Sequence, residues 1–168
     1  MATAAMIAIA STVTSGNQTN VEFTGLSGYR DYVLMFDTLK TNSSENVYME
    51  INGDTTTSNY ALHAYWGGPN TSQGAVLRTD AASIIIGYNT GPSSTNAMQG
   101  VVQFMDAGAT DKHKVVYART NNPLDNRVGG ATTRWANTNA ITSIKIKAES
   151  TYFLDGANVA IYGILGEV

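Results

Sequence analysis

Ile144-Lys145-Ile146-Lys147-Ala148 has the clearest strand pattern in the chain, because apolar and charged side chains alternate along it without a break. In an extended strand, successive side chains point to opposite faces. The aliphatic side chains therefore share one face and the two ammonium groups share the other. This pattern predicts a strand with one face on a core and the other face in water.

A second decisive stretch, residues 159–165, follows the turn signal Asp155-Gly156 and is apolar at nearly every position. A strand with two apolar faces needs a covered place in a sheet or sandwich. The rest of the chain must therefore supply packed layers around it.

Other stretches that are rich in β-branched and aromatic residues have the same character. They are residues 21–26, 32–36, 47–51, 84–88, 101–105 and 114–118. Residues 55–80 and 121–133 are polar and turn-prone and are expected to be loops, and no stretch has a convincing helical stripe. The sequence predicts an all-β, antiparallel β-sandwich of about eight strands, and the strand count with its long connections favours a jelly roll over an immunoglobulin-like sandwich.

Length and composition limit the classes of function. At 168 residues the chain is expected to hold an N-terminal arm or first strand (1–20) and a single β-sandwich domain (21–168). The formal net charge of −3 and the scattered Lys and Arg residues argue against nucleic-acid binding. The chain has no cysteine, which excludes disulfides and thiolate sites.

The N-terminal residues 1–13 are apolar and small. They lack the basic region of a signal peptide and are too few to span a bilayer, so no membrane partner is expected. An apolar arm left in water would promote aggregation. Met6, Ile7 and Ile9 are therefore candidates for packing on the chain's own domain or on a neighbouring subunit.

Catalytic and metal sites have little support in the sequence. His63 and His113 have no acidic or histidine neighbour at ligand spacing. Asp54, Asp106 and Asp111 do not form a calcium-loop pattern and are better explained as turn caps. We expect no enzyme activity, no metal and no cofactor.

Aromatic side chains in the predicted loop 55–80 are the most informative surface candidates. Tyr60, Tyr65 and Trp66 lie there among Asn, Ser and Thr residues. Such rings give a large contact area at small entropic cost. Subunit contact is the favoured interpretation, a place in the chain's own core is the next, and contact with a glycan is the third.

Three blocks of the sequence together resemble a group of small β-sandwich virion proteins of tailed bacteriophages. The first block is Val21-Glu22-Phe23-Thr24-Gly25-Leu26 with Tyr29-Arg30-Asp31-Tyr32-Val33-Leu34, and the second is Ile51-Asn52-Gly53-Asp54 with Ser58-Asn59-Tyr60. The third runs from Trp135 to Ile144 and closes with Ile161-Tyr162-Gly163-Ile164. The blocks occur in the order of that group and cover both ends of the chain.

The resemblance implies a structural protein of the phage virion. The expected function is that of a capsid decoration or cement protein, a homotrimer that acts by subunit contacts and has the major capsid protein as its partner. Many relatives carry the module at the end of a longer fibre chain, so a module that stands alone favours the capsid surface over the tail. The alternative is a receptor-binding tail-tip or tail fibre protein that holds a host glycan.

Overall fold

The structure is a computed structural model that describes residues 6–68, 74–90, 97–122 and 127–166, with the backbone alone for residues 80, 88–90, 122 and 127. The described residues form twelve strands. Their bounds are β1 Met6–Val13, β2 Asn20–Thr24, β3 Asp31–Leu39, β4 Glu45–Ile51, β5 Tyr60–Gly67, β6 Gly74–Ala81, β7 Ile84–Thr90, β8 Met98–Met105, β9 Lys114–Asn122, β10 Arg127–Trp135, β11 Ser143–Ala148 and β12 Asn158–Ile164.

The strands form two antiparallel sheets. The larger sheet has eight strands in the order β1-β12-β3-β8-β9-β10-β5-β6, and the smaller sheet has four in the order β2-β11-β4-β7. The inward-facing side chains of both sheets join in one hydrophobic core. The fold is thus the predicted all-β, antiparallel, jelly-roll-like sandwich.

The two segments with the clearest strand patterns, residues 144–148 and 159–165, lie in different sheets. In β11, Ile144, Ile146 and Ala148 are buried, whereas the two lysine side chains between them are half-buried on the outer face. In β12, alternate residues from Val159 onward are buried, and the strand lies between β1 and β3. Strand β12 is therefore internal to its sheet, as predicted, but only its core face is buried, so the predicted layers on both faces are not found in the described part of the single chain.

The predicted count of about eight strands is wrong, and so is the assignment of residues 55–80 and 121–133 to loops. Strands β5 and β6 occupy most of the first segment, and β10 occupies much of the second. Strand β10 has few apolar residues, but it pairs with β9 on one side and with β5 on the other. These two ladders satisfy its backbone groups and outweigh its weak local propensity.

The N-terminal segment forms a strand of the larger sheet. Strand β1 pairs antiparallel with β12, from Met6 opposite Ile164 to Val13 opposite Asn158, with a bulge between Ala8 and Ala10. It forms one edge of that sheet. Within the described residues, there is no helix long and apolar enough to cross a bilayer.

The three blocks behind the resemblance contact one another in the folded chain. The Oδ1 atom of Asn52 accepts hydrogen bonds from the backbone N–H groups of Thr142 and Ser143, at 2.8 and 3.0 Å. The ring of Tyr29 lies against Gly163, where an added Cβ would be 2.2 Å from a ring carbon. The residues of these blocks therefore have a structural explanation, since they hold the turns and strand ends of the sandwich together.

Candidate functional site

Exposed apolar side chains are concentrated on the outer face of the eight-stranded sheet, the face turned away from the core. Eight of the nine large apolar side chains that are exposed among the described residues belong to strands of this sheet. Their exposure ranges from 39% to 74%, and they are Met6, Val13, Met35, Tyr65, Leu77, Met105, Tyr117 and Val128. This face is roughly 34 Å wide, from seven strand spacings of about 4.8 Å.

The outer face of the four-stranded sheet has the opposite character. Lys145 forms an ion pair with Glu22 at 3.5 Å, and Lys147 forms one with Glu50 on the neighbouring strand. No large apolar side chain is exposed on this sheet in the part of the chain that the structure describes. The molecule thus has one charged face, typical of a surface that stays in water, and one face that concentrates the exposed apolar side chains and also carries Arg119 and Arg134.

Of the three aromatic candidates, Tyr60 belongs to the core. Its side chain is fully buried at the start of β5, and its Oη accepts a hydrogen bond from the Ile51 N–H at 3.1 Å and donates one to the Asp54 carbonyl at 2.9 Å. Burial raises the pKa of its hydroxyl. Tyr60 therefore has no surface to offer a subunit or a glycan, and the core interpretation applies to this residue.

Tyr65 and Trp66 point to opposite faces of the larger sheet, because they are adjacent in β5. Tyr65 lies on the outer face and is 51% exposed. Trp66 is half-buried, and its indole lies over Gly74 of the edge strand β6, where an added Cβ would be 2.1 Å away. The structure therefore does not join the three rings in one patch.

The three N-terminal candidates also differ in their surroundings. Met6 is 39% exposed on the outer face, at the edge of the sheet. Ile7 is half-buried opposite Gly163, and Ile9 packs against the core at the bulge. Of the three, Met6 has the most exposed surface for a neighbouring subunit.

A groove lies on the outer face around Tyr65, and we call it the Tyr65 groove. It consists of two adjoining depressions of about 480 and 520 Å³, which share Tyr65, Val101 and Arg119. The first depression is also lined by Gln99, Asn121 and Val128, and the second by Gln103, Tyr117 and Thr132. Among these residues, sequence reasoning found only Tyr65.

Asp54 and Trp135 form the main polar cluster behind the Asn52-Gly53 turn. One carboxylate oxygen of Asp54 accepts hydrogen bonds from the Trp135 Nε1–H at 2.7 Å and from the Asn59 Nδ2 at 2.8 Å. The other accepts one from the Thr56 N–H at 2.9 Å. Asp54 is thus the turn cap that the sequence predicted, and it also binds the buried Trp135.

The Asp54 cluster predicts a loss of stability in acid. Partial burial raises the pKa of Asp54, whereas the hydrogen bonds from Trp135, Thr56 and Asn59 together lower it by a larger amount. The pKa of Asp54 therefore lies below its ordinary value. Since the folded pKa is the lower one, this stabilisation is present above the unfolded pKa, about 3.9, and is lost as the pH falls through the folded pKa. We expect urea unfolding between about pH 6 and pH 3 to show a smaller loss of stability for Asp54→Asn than for the wild type.

Asp155→Asn is the matched control, because Asp155 is an exposed turn residue. It should keep the wild-type dependence on pH. An Asp54→Asn protein with the same acid sensitivity as the wild type would show that Asp54 does not contribute in this way.

Lys114 is a buried charged residue that the sequence analysis did not single out, and its contacts are structural. Lys114 is fully buried, and its Nζ donates hydrogen bonds to the backbone carbonyls of Lys112 at 2.7 Å and Thr138 at 3.1 Å. Burial lowers its pKa, although Asp111 and Asp106 act in the opposite direction. Lys114 thereby joins the turn after β8 to the loop before β11. Across the described residues, no group of three or more His, Asp or Glu side chains is placed to hold a metal ion.

Comparisons with known proteins find similarity at the level of structure alone. No family model and no curated protein sequence matches the chain. A galectin, LEC-6 of Caenorhabditis elegans, matches with 9% identity, 93% of this chain, 96% of its own chain and a TM-score of 0.35. A single mutant of congerin II has 9% identity, 84% and 98% coverage and a TM-score of 0.39.

A third solved structure, scytalido-glutamic peptidase with a transition state analog inhibitor, matches with 13% identity, 87% of this chain, 75% of its own chain and a TM-score of 0.35. All three likenesses are too distant to carry a function from one protein to another. The function must therefore be inferred from the chain's own surface.

Proposed function

We propose that this chain is a non-enzymatic structural protein of a bacteriophage virion, a capsid decoration protein that acts by subunit contacts. The observation that carries the proposal is the contrast between the two outer faces. Eight exposed apolar side chains belong to strands of the eight-stranded sheet, whereas the four-stranded sheet has two ion pairs on its outer face and no exposed large apolar side chain among its described residues. Extended apolar surface on a soluble domain marks an interaction site.

The half of this face formed by β1, β12 and β3 is the part best suited to subunit contact. In the interior of β3, Val33 and Met35 point outward, and Met35 pairs with Ala160 of β12 and with Val101 of β8. Charged side chains on β3 occur only near its ends, at Asp31 and Asp37. An uncharged centre loses little on dehydration when a partner covers it.

The resemblance to phage virion proteins supports the same function. Its blocks make the structural contacts described above, between Asn52 and residues 142–143 and between Tyr29 and Gly163. These contacts stabilise a rigid sandwich and require no chemistry of their own. A rigid domain with one apolar face is what an adhesive function requires, and three-fold clustering would strengthen weak contacts by avidity.

The subunit contact is tested with Met35→Glu. We expect the wild-type protein to sediment as a homotrimer. The trimer of the variant should fall apart at protein concentrations at least tenfold higher than those at which the wild-type trimer does, because a carboxylate would be buried without a partner in the contact. Met35 is 39% exposed in the single chain, so the variant should fold normally. Sedimentation velocity across a concentration series measures the effect.

Thr24→Glu is the matched control, since it adds the same charge at an exposed position of the four-stranded sheet. It should leave the trimer intact.

The location in the virion is tested on particles that lack this protein. They should lose resistance to heat and chelator, and should regain it on addition of the wild type but not of Met35→Glu. A tagged copy imaged away from the capsid would contradict the decoration function.

A second candidate function is receptor binding in the tail, with a host glycan as the ligand. It is favoured by the half-exposed ring of Tyr65 beside the Tyr65 groove. Exposed rings that border a groove of this size suit a sugar chain, because each sugar ring offers a flat face to stack on an aromatic side chain. The groove lies mostly on β5, β8, β9 and β10, apart from the uncharged half proposed for subunit contact.

A further inference from the structure

The ligand that fits the Tyr65 groove follows from the order of its side chains across four strands. Val101, Arg119, Gly130 and Tyr65 are successive partners in the ladders from β8 to β5. Gly130 leaves space for the Tyr65 ring, since an added Cβ would lie 2.6 Å from the Tyr65 Oη. The ring therefore lies over β10 with its hydroxyl end toward β9, the strand of Arg119.

The charge of the groove is positive and has no counterpart among the described residues that line it. Arg119 is exposed, and none of the ion pairs among the described residues involves it. The described residues that line the two depressions include no Asp or Glu. Arg134 also points outward on β10, four residues along the strand from Gly130. Although the whole chain has a net charge of −3, this groove is locally positive. It is therefore complementary to a negatively charged ligand.

The polar side chains of the groove are mainly amide and hydroxyl groups. The Oδ1 of Asn121 accepts a hydrogen bond from the backbone N–H of Gln99 at 2.6 Å. This bond occupies the side-chain oxygen, so the NH₂ group of Asn121, which lines the first depression, is left as a hydrogen-bond donor. Gln103 and Thr132 supply further polar groups in the second depression.

A peptide is a poorer occupant than a sugar. Peptides that bind to sheets add a strand at an edge, where backbone groups are unpaired. The strands β8, β9, β10 and β5 are all internal, with a neighbour on each side. The groove therefore offers a ligand side chains and a ring face only.

We propose that the Tyr65 groove binds an acidic carbohydrate, a sugar chain that carries carboxylate groups. The sugar ring stacks on Tyr65, its carboxylate forms a bidentate pair with the Arg119 guanidinium, and neighbouring hydroxyls bind Asn121 and Gln103. This inference rests on the second candidate function and adds to it the class of glycan and the residues that select it.

The test compares carboxylated and neutral sugars on the full chain. Isothermal titration calorimetry with oligogalacturonate, oligosialic acid and alginate oligomers is set beside fully methyl-esterified oligogalacturonate, which keeps the same sugar rings without the charge. We expect at least one carboxylated probe to bind and its neutral counterpart to bind at least tenfold more weakly. Arg119→Gln should reduce this preference to less than about threefold, and Tyr65→Ala should weaken every bound sugar at least tenfold.

Leu77→Ala is the matched control, because Leu77 is 74% exposed on the same face but does not line the groove. It should bind like the wild type, and thermal unfolding should show that all variants are folded. Tetraglutamate carries carboxylate charge without a sugar ring. If this peptide bound as tightly as the carboxylated sugars, the inference would be overturned.

The outcomes also separate this inference from the second candidate function. Equal binding of acidic and neutral sugars through Tyr65 would overturn the acidic preference and leave glycan binding standing. Binding of none of the sugars on a broad glycan array would remove both. Binding that survives Tyr65→Ala and Arg119→Gln would place the site elsewhere on the molecule and overturn the inference.

Discussion

Trp135→Ala is expected to lower the free energy of unfolding by about 3–5 kcal/mol, the cost of removing a large aromatic side chain from a core. Trp135 is fully buried at the end of β10, between the ladders to β9 and β5. Its Nε1–H also donates the 2.7 Å hydrogen bond to Asp54. The substitution therefore removes packing and also one of the two hydrogen bonds that this carboxylate oxygen accepts.

Trp135→Phe separates these two contributions, since it keeps an aromatic ring and removes the indole N–H. We expect it to cost about 1–3 kcal/mol, and a double-mutant cycle with Asp54→Asn to give a coupling of about 0.5–3 kcal/mol. Chemical denaturation of the four proteins supplies the measurement. Strictly additive effects would mean that the negative charge of Asp54 does not strengthen this hydrogen bond, because asparagine still offers an amide oxygen as the acceptor.

Gly163→Ala is expected to destabilise the protein by about 1–3 kcal/mol, although alanine is a small residue and the backbone at this position needs no glycine conformation. The reason is a clash, because the added Cβ would lie 2.2 to 2.5 Å from three ring carbons of Tyr29. The ring must then move away from the core, against which it packs, and from its edge-to-face contact with Tyr32.

The Tyr29→Ala background tests this explanation, since it removes the ring that the new methyl group meets. In that background, Gly163→Ala should cost much less than in the wild type. Thermal unfolding of the single and double variants gives the comparison. An equal cost in both backgrounds would assign the effect to β12 itself and not to the Tyr29 contact.

The fold class could be predicted because most strands of this chain carry their own pattern. In β11, aliphatic and lysine side chains alternate in sequence as they do between core and water. In β10, the inward positions hold Ala131 and Thr133, and Gly129-Gly130 has the composition of a turn. Small residues are sufficient there because the neighbouring strands provide the pairing, and a local pattern does not contain that information.

The candidate site could be predicted only in part for the same reason. Tyr65 was found because a large ring in a polar segment is visible in the sequence. The assignment of Tyr65 to a loop was wrong. The alternation of Tyr60, Leu62 and Ala64, which are buried positions of β5, was the signal that could have identified the strand. The role of Arg119 depends on the registers that bring β9 within two strands of β5, and register is a property of the assembled sheet.

The pairing of β1 with β12 has a consequence for how the protein folds. Met6 lies opposite Ile164, so the two strands that meet at this edge come from opposite ends of the described chain. Contacts between segments so far apart in sequence close the longest loops and tend to form slowly. Strand β1 can therefore dock only after β12 has been synthesised, and until then its apolar residues are open to pairing with another chain.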